Sequence, residues 1–319
     1  MGKKKILIIT PFYYPNIGGA ETFTNDLVSE IRKHHEVRVC TIDWGSNKTF
    51  KGVGIKQFLD VFPNLYLSAR KAVQKYEFDE VWGIGLQSCV IAVLSKVKIK
   101  KCILLALYDF EKRPFWFKWI CGSFLRKMEK VFVEGERGKK DILSLGIPRS
   151  KITIFQHWCD HEIFKPQKNY KNGWHFVVLF VGRPIHEKGK HIIQQVEREL
   201  KDYKDMRFIY VENVKFENLT QYYQMADVVC VPSLYSEGIP RVVIESASCG
   251  CALIVSNRGT LPELVKDKGI GFCVGPTVEE FKQHILKLYQ DRILLSSLRE
   301  KAYQYSRIFY TNKNAEVFL

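Results

Sequence analysis

The sequence of 319 residues lacks any apolar run close to the roughly 18 to 20 residues that a helix needs to cross a bilayer. The short apolar run at residues 6–10 is too brief for the hydrophobic core of a signal peptide, and Pro11 ends it. Ile6 also occupies the position where the N-myristoylation pattern needs Ser or Thr. We therefore expect a cytoplasmic protein.

Several ligand-binding signatures are missing as well. Neither a G-x-x-x-x-G-K-[ST] loop nor a full G-x-G-x-x-G occurs, which disfavours a kinase and a Rossmann dehydrogenase. The nine cysteines include no C-x-x-C pair and no histidine partner at metal spacing, so we expect reduced, mostly buried thiols. His157 and His161 are interpreted as structural or surface residues rather than metal ligands.

The formal net charge of +15 is shared unevenly along the chain. Residues 1–165 carry 28 Lys and Arg against 17 Asp and Glu, whereas residues 166–319 carry 21 against 17. A basic first half favours an anionic partner there, either a polyanion or an anionic membrane surface, with solubility alone as the alternative. Nucleic-acid binding is disfavoured because RNP aromatics, zinc-finger spacing and a recognition helix are missing.

The segment 113–130 mixes aromatic and basic residues at helical spacing. One apolar stripe on this predicted helix consists of Phe117, Cys121, Phe124 and Met128. Trp116 and Trp119, flanked by Arg113 and Lys118, exceed what a single stripe buries. Core packing and contact with a membrane interface therefore stand as the two interpretations.

Strand-like apolar runs alternate with helix-like stretches along the chain, which predicts parallel βα units. The pattern restarts at residues 175–182, and the polar, turn-rich stretch 165–174 before it predicts a linker. The predicted strands are 5–10, 36–41, 79–82, 101–108, 130–133, 175–182, 206–210, 228–231 and 252–255.

We therefore predict an α/β protein of two doubly wound Rossmann-like domains, at 1–168 and 174–300, facing a central cleft. A C-terminal helix at 301–319 is expected to pack back toward the first domain. Because open parallel sheets bind ligands beyond the carboxyl ends of their strands, the loops of both domains would meet at this cleft.

Two glutamates, Glu237 and Glu245, bracket a loop with Gly238 and Pro240 that leads into a predicted helix. Pro240 suits the first helical position, and the backbone amides of residues 238–242 would then face the space before the helix, where anions bind. A ligand with phosphates and hydroxyls fits this arrangement. For two glutamates taken alone, a solvated loop residue and an ordinary helical residue are the alternative.

Two cations follow the first strand of the predicted second domain. Arg183 leaves the strand end and Lys188 opens the next predicted helix, so both would stabilise a diphosphate leaving group. A surface cation is the alternative for either residue alone. In the first domain, Gly18 and Gly19 would supply amides to a phosphate, with a tight turn as the equal alternative.

Taken in order, these and further stretches resemble the retaining glycosyltransferases of family four, which have the GT-B fold, over nearly the whole chain. The matching positions are 18–21, 133–142, 151–154, Asp160, Phe164, Pro166, 180–183, 188–189, 226–227, 231–233, 237–245, 249–250 and 262–265.

The resemblance implies that Glu237 contacts the donor sugar near the reaction centre and that Glu245 hydrogen-bonds the donor ribose. It also implies that Arg183 and Lys188 hold the diphosphate. The residues implied in donor binding are Gly18, Gly19, Gly238, Ile239, Pro240, Arg241 and Glu245. The co-substrate would be a nucleotide diphosphate sugar without a metal or other cofactor, and the lack of a D-x-D motif agrees.

Two departures from the family pattern concern the acceptor. Where many relatives have a His before an Asp, this chain has Tyr108 and Asp109, which we assign to the acceptor side. At the predicted domain junction, Trp158 replaces a glycine that is common in the family. Both departures leave the acceptor's identity open.

The predicted function is transfer of a sugar, with retention, to a glycan or lipid-linked glycan, as in cell-surface polysaccharide or lipopolysaccharide synthesis. The enzyme would act in the cytoplasm, on the inner face of the membrane, without a nucleic-acid partner. The alternative is a catalytically inactive scaffold that binds sugar nucleotides, motivated by Tyr108 and the altered junction.

Overall fold

The computed structural model describes residues 2–16, 18–42, 55–94, 99–167, 176–212, 214 and 218–319. The chain divides into two compact units. Unit 1 comprises Met1–Phe155 and Ala315–Leu319, and unit 2 comprises Gln156–Asn314. Among the described residues, no helix combines the length and the apolar character that spanning a membrane requires.

Unit 1 alternates strands and helices as the sequence pattern predicts. Its elements are β1 (Lys5–Ile9), α1 (Gly19–Arg32), β2 (Glu36–Cys40), α2 (Ile55–Lys75), β3 (Glu80–Ile84), α3 (Leu86–Leu94), β4 (Ile99–Leu104), α4 (Phe115–Leu125), β5 (Lys130–Glu134), α5 (Gly135–Leu143) and β6 (Ile152–Phe155). Within the described residues these strands form one parallel six-stranded sheet in the order β2-β1-β3-β4-β5-β6. The strand order reverses at β1, which lies between β2 and β3.

Unit 2 repeats this architecture. Its elements are β7 (Phe176–Val181), α6 (Lys190–Glu199), β8 (Met206–Val211), α7 (Leu219–Met225), β9 (Val228–Val231), α8 (Arg241–Ser248), β10 (Ala252–Ser256), α9 (Leu261–Val265), β11 (Gly271–Val274), α10 (Val278–Gln290) and α11 (Arg292–Phe309). The described strands form a parallel five-stranded sheet in the order β11-β10-β9-β7-β8. Here the order reverses at β7, between β8 and β9.

The central strands are buried on both faces, which explains their continuous apolar sequences. All five residues of β10 and all four residues of β9 are buried. Parallel strands covered by helices on both sides need such runs rather than an alternating pattern. This is why the strands of unit 2 were readable from the sequence as compact apolar segments.

The observed strands overlap all nine predicted ones and add β6 and β11, which the sequence reading missed. Both added strands are short and largely half-buried, so their apolar signal is weak. Strand β4 ends at Leu104, earlier than the predicted 108. Beyond the strand end, the backbone N–H groups of Tyr108 and Phe110 donate to the carboxylate of Asp141 rather than to a neighbouring strand.

The boundary between the units lies at Phe155, ahead of the predicted limit at residue 168. Residues 156–167 group with unit 2 because they bond within it. The N–H of Cys159 donates to the carbonyl of Tyr310 at 3.2 Å, and Phe164 is fully buried in the unit 2 core. The predicted linker lies outside the described residues from position 168 onward.

The chain end differs from the single terminal helix predicted at 301–319. Helix α11 ends at Phe309, and a helical turn follows at Asn312–Phe318. Only Ala315–Leu319 belongs to unit 1. There Phe318 is fully buried, with its ring centroid 4.8 Å from that of Phe132.

The expectation of reduced thiols is wrong for one pair. Cys89 and Cys102 form a disulfide, with their Cα atoms 6.2 Å apart. Consecutive elements α3 and β4 carry these residues, and their packing in the unit 1 core brings the two sulfur atoms together. The other seven cysteines are free, and all but Cys273 are buried.

Candidate functional site

The predicted catalytic residues of unit 2 lie at the carboxyl edge of its sheet, beside the strand where the order reverses. Arg183 follows β7 by two residues, and Glu237 lies in the loop between β9 and α8. Lys188 closes a short helical turn at His186–Lys188, and α6 begins only at Lys190. The prediction that Lys188 opens the helix is therefore wrong by two residues, because Gly189 adopts a left-handed conformation between the turn and α6.

Lys188 and Glu237 form a largely buried ion pair that joins the loops after β7 and β9. The Lys188 Nζ lies 2.7 Å from Glu237 Oε1, and the two side chains are 17% and 7% exposed. The hydroxyl of Ser233 donates to the same carboxylate oxygen, and the hydroxyl of Tyr235 donates to Oε2 at 2.8 Å. Both oxygens of Glu237 therefore have hydrogen-bond donors, as a buried charge requires.

The ion pair holds both groups in their charged forms. Burial pushes the pKa of Glu237 upward, but the charge of Lys188 and hydrogen bonds from Lys188, Ser233 and Tyr235 outweigh it, so the pKa is lowered. Burial likewise pushes the pKa of Lys188 downward, and attraction to Glu237 and Tyr235 outweighs it, so that pKa is raised. The site thus presents a fixed ammonium and a fixed carboxylate at neutral pH.

Two glycines allow the loops around this pair to approach each other. Gly259 has φ +58°, and a Cβ atom there would lie 2.0 Å from the carbonyl oxygen of Glu237. The next residue, Thr260, donates its N–H to that carbonyl at 3.0 Å. Gly189 has φ +73°, and a Cβ atom there would lie 2.0 Å from the carbonyl oxygen of Pro232. Sequence reasoning missed Gly259 and Thr260, because nothing local to them indicates contact with a loop some twenty residues earlier.

The second glutamate, Glu245, lies in a separate buried cluster on α8. Its side chain accepts hydrogen bonds from Arg241 Nε at 3.1 Å and from the hydroxyl of Tyr223 at 2.9 Å. Arg241 also donates through a second nitrogen to the carbonyl of Trp158 at 3.0 Å. Trp158, the residue that departs from the family pattern at the junction, is thus held through its backbone next to this cluster.

Helix α8 starts one residue later than predicted. Pro240 has φ −70° and ψ 126°, an extended conformation, and serves as the residue before the helix rather than as its first residue. The carbonyl of Pro240 still accepts the first helical bond, from Val243 at 3.0 Å. Ile239 is buried in the unit 2 core, so its side chain belongs to packing. Donor binding by this loop stays a prediction.

In unit 1, Gly18 and Gly19 form the start of α1 as predicted. Gly18 precedes the helix, and its carbonyl accepts the N–H of Thr22 at 2.9 Å. The carboxylate of Glu21 folds toward Gly18, where an added Cβ atom would lie 2.3 Å from one of its oxygens. The chain's own carboxylate therefore lies at the helix start where the sequence predicted a phosphate.

Tyr108 and Asp109 lie beyond the end of β4 in unit 1. Tyr108 is 8% exposed, its hydroxyl accepts the N–H of Leu86 at 3.3 Å, and burial raises its pKa above the ordinary value. Asp109 has φ 47°, a left-handed conformation that costs roughly 1–3 kcal/mol for a residue other than glycine. Asp141, which sequence reasoning missed, fixes this turn with hydrogen bonds of 2.9 and 2.6 Å from the N–H groups on either side of Asp109.

The charges around this turn are partly compensated. The carboxylate oxygens of Asp109 lie 3.6 Å from the Lys112 Nζ and 3.7 Å from the Arg137 Nη2. Burial raises the pKa of Asp141, against the lowering effect of the backbone N–H groups that it accepts. Asp141 falls in the segment 133–142 that carried the family resemblance, and this was the available signal for it.

The structure thus assembles two clusters from the predicted residues of unit 2: Lys188 with Glu237, and Arg241 with Glu245. Convergence of these clusters with the unit 1 residues on a single ligand stays a prediction. Among the residues that the structure describes, no group of three or more His, Cys, Asp and Glu side chains is arranged to hold a metal ion.

Comparison with known proteins agrees with this architecture. Residues 207–305 match the family described as Glycosyl transferases group 1. The chain is 23% identical over 248 residues to the alpha-galactosylglucosyldiacylglycerol synthase of Streptococcus pneumoniae, a match covering 65% of each protein. The chain thus spans slightly less than two thirds of this relative's length.

Two solved structures have the same fold over nearly their full lengths. The sucrose-phosphate synthase of Thermosynechococcus elongatus matches with a TM-score of 0.81 at 15% identity, covering 99% of this chain and 97% of the other. The Anabaena protein HepE, solved with UDP and glucose, matches with a TM-score of 0.76 at 15% identity, covering 99% and 98%. The predicted GT-B fold of two doubly wound domains is confirmed, as is the resemblance to group 1 glycosyltransferases.

Proposed function

We propose, from the premise that residues 207–305 belong to the group 1 glycosyl transferases, that this GT-B protein transfers a sugar from a nucleotide diphosphate sugar. The acceptor is a glycan or a lipid-linked glycan, and the configuration at the sugar carbon is retained. The observation that carries the proposal is the buried Lys188–Glu237 pair where the order of the unit 2 sheet reverses. Ligands of open parallel sheets bind at such a position.

The names of the similar proteins support both substrates. HepE was solved with UDP and glucose, which supports a nucleotide diphosphate sugar as donor. The pneumococcal relative is named for a glycosylated diacylglycerol, which supports an acceptor that carries a lipid. The proposal includes a cytoplasmic location at the inner face of the membrane, where a lipid-linked acceptor and a nucleotide donor meet.

Arg183 and Lys188 supply the positive charge for the leaving group in this proposal. The ion pair with Glu237 uses one of the three N–H groups of Lys188, and in this proposal another donates to a phosphate oxygen. The guanidinium of Arg183, which follows β7 by two residues, provides a second positive charge for the diphosphate. With two protein cations in this role, we expect activity to persist in the presence of EDTA.

In the proposed step, the bond between the sugar carbon and the diphosphate oxygen breaks, and the acceptor oxygen bonds to the same face of that carbon. The departing phosphate oxygen takes the acceptor's proton, so the protein need not supply a base. Glu237 keeps its charge because its pKa is lowered, and it would stabilise the positive charge that develops on the sugar. Glu245 would accept hydrogen bonds from the hydroxyls of the ribose, and the backbone of residues 238–241 would lie against the phosphates.

A panel of nucleotides tests the donor, and an activity assay tests the chemistry. UDP, GDP and ADP, with their sugar conjugates, should produce a selective rise in melting temperature for one nucleotide, because a ligand of the folded state stabilises it by mass action. The purified protein should then release that nucleotide from its sugar conjugate in the presence of a lipid or glycan extract. NMR of the product should show the anomeric configuration of the donor.

Glu237→Gln separates the assigned roles. We expect transfer to fall strongly while nucleotide binding is largely kept, because Glu237 is assigned to the sugar and not to the nucleotide. Equal loss of nucleotide affinity would count against this division. An inactive scaffold would bind the nucleotide but neither transfer nor hydrolyse its sugar, and that result for the wild type would contradict the proposal.

A further inference from the structure

Helix α4 of unit 1 exposes four large apolar side chains on one side. Phe115, Trp116, Trp119 and Ile120 are 78%, 60%, 62% and 39% exposed. Their spacing of one, four and five residues places them on a single helix face, which we call the α4 outer face. Such a concentration of exposed aromatic groups on one face normally marks a binding surface.

The other side of α4 fixes this orientation. Cys121 and Leu125 are buried in the unit 1 core, and the Phe117 ring lies 6.1 Å from the buried Phe110 ring. Of the stripe predicted from the sequence, Cys121 and Met128 are buried in the unit 1 core, although Met128 lies beyond the helix end. Phe117 and Phe124 are half-buried. Because this inward side is occupied by the core, the α4 outer face cannot turn inward.

Cations flank the residues of the α4 outer face in the sequence. Residues 110–130 contain six Lys and Arg against two Glu. Lys112, Arg113 and Lys127 are exposed, and Lys118 is half-buried within the helix itself. The guanidinium of Arg126 at the helix end is held by the carbonyl of Leu145 at 3.1 Å.

We propose that the α4 outer face docks on a bilayer that contains anionic lipids, with the two tryptophans at the level of the headgroups. Tryptophan is enriched at this level because its ring is amphipathic, and basic residues beside it attract acidic lipids. Residues 112–128 contain five Lys and Arg and no Asp or Glu, so the charge beside this apolar patch complements acidic headgroups. The residues of this face belong to unit 1 and none of them is assigned to the donor, so the inference does not rest on the proposed reaction.

Vesicle binding by the full chain tests the proposal directly. We expect the protein to sediment with phosphatidylcholine vesicles containing about one third phosphatidylglycerol, and to bind pure phosphatidylcholine at least about 10-fold more weakly. Tryptophan fluorescence should shift to the blue on binding. Lipids brominated near the headgroup should quench it, because Trp116 and Trp119 enter the interface.

A double variant and a matched control locate the surface. Trp116→Ser with Trp119→Ser should weaken binding to the anionic vesicles by about 10-fold or more, with an unchanged melting temperature because both residues are exposed. Ile293→Ser removes an apolar side chain that is 85% exposed in unit 2, and it should leave binding unchanged. Lys118→Gln with Lys127→Gln should weaken binding to anionic vesicles only.

Four results would overturn the inference. The first is wild-type binding by the double tryptophan variant, and the second is equal binding to neutral and anionic vesicles. The third is a dimer of the wild type that the double tryptophan variant loses, which would assign the α4 outer face to a second copy of the chain. Binding to a nucleic acid of random sequence but not to anionic vesicles would likewise reject the membrane as its partner.

Discussion

The two units share one topological feature, a first strand that lies between the next two strands of the chain, but the loops beside that strand are built differently. Beside β7 in unit 2, Lys188 and Glu237 join the loops through a buried ion pair. Beside β1 in unit 1, the helix start is approached by the chain's own Glu21, and Gly85 after β3 packs against the ring of Phe12. Charge compensation thus organises one edge, and backbone and apolar packing organise the other. We expect substitutions to affect chemistry and stability together in unit 2 and separately in unit 1.

Loss of one partner of the unit 2 pair is the strongest way to sharpen this contrast. Lys188→Ala should lower turnover about 100-fold or more, on the scale of losing one charge-stabilising donor. It should also lower the free energy of unfolding by about 3–5 kcal/mol, because Glu237 is left as a buried carboxylate without its cation. Steady-state kinetics and urea denaturation measure the two effects. Arg183→Ala should show the kinetic effect.

Lys190→Ala is the matched control for stability. Its ion pair with Glu212 has the same 2.7 Å distance, but the two side chains are 30% and 23% exposed. Solvent screens such a pair, so we expect a loss of about 1 kcal/mol or less. Equal destabilisation by Lys188→Ala and Lys190→Ala would contradict the prediction that burial strengthens the Lys188 ion pair. Wild-type turnover in Lys188→Ala would contradict the role assigned to Lys188 in the reaction.

Glycine substitutions in the two units form a second contrast, with a smaller expected effect. Gly259→Ala should lower the free energy of unfolding by about 2 kcal/mol or more, since φ is +58° and the new Cβ atom meets the backbone of Glu237. Gly18→Ala should cost about 0.5 kcal/mol or less, because φ is 166° and the new atom meets only the mobile end of Glu21.

Thermal or urea denaturation of both variants checks this prediction. Activity adds a second readout, since Gly259→Ala should also displace the loop that carries Glu237. A destabilisation by Gly18→Ala as large as that by Gly259→Ala would mean that the start of α1 is as constrained as the unit 2 loops.

The sequence predicted the parallel βα architecture because central strands need continuous apolar runs, and β9 and β10 have them. It also predicted that Lys188 and Glu237 lie at the same edge of the sheet, because both residues follow strands whose carboxyl ends share that edge. It did not predict Gly259, Thr260 or Asp141. These residues act through tertiary contacts with loops distant in sequence, and no local pattern encodes such contacts.

The misplaced helix starts have local causes. Lys188 precedes α6 because Gly189 takes a left-handed conformation, and Pro240 remains extended before α8. A proline or a glycine at such a position is compatible both with the first turn of a helix and with the loop before it. The packing around the residue determines which of the two forms. The disulfide of Cys89 and Cys102 was missed for a similar reason. Their separation of 13 residues does not show that the two sulfur atoms are close, because that depends on how α3 packs on β4.

The pH dependence of stability should have opposite signs at the two edges. The folded-state pKa of Glu237 lies below its ordinary value of 4.5, so its charge stabilises the protein above that value. This contribution is lost as the pH falls through the lowered folded-state pKa. The stability difference between wild type and Glu237→Gln should therefore shrink as the pH falls below the ordinary pKa of 4.5 and through the lowered folded-state pKa.

Asp141 in unit 1 provides the opposite case. Burial raises its folded-state pKa above the ordinary value of 3.8, so the folded state holds the proton more readily than the unfolded chain. Stability from this group is therefore lost as the pH rises through the folded-state pKa, and Asp141→Asn should lack that dependence. Urea denaturation across this pH range measures both differences, and equal signs would contradict the contrast.

The smallest effect that we expect on activity concerns Tyr108, which the sequence assigned to the acceptor side. Its hydroxyl accepts the N–H of Leu86 at 3.3 Å inside unit 1, and its ring stacks on Phe110 at a centroid distance of 5.4 Å. Tyr108→Phe keeps the stacking and removes one neutral hydrogen bond, so the loss in unfolding free energy should be about 1 kcal/mol. We expect the KM for the acceptor to change little.

Tyr235→Phe is the counterpart in unit 2, where the lost hydroxyl donates to the buried carboxylate of Glu237. Its turnover should fall more than that of Tyr108→Phe. A raised acceptor KM for Tyr108→Phe at unchanged stability would instead identify this hydroxyl as an acceptor contact, and the unit 1 edge would then take part in the chemistry as unit 2 does.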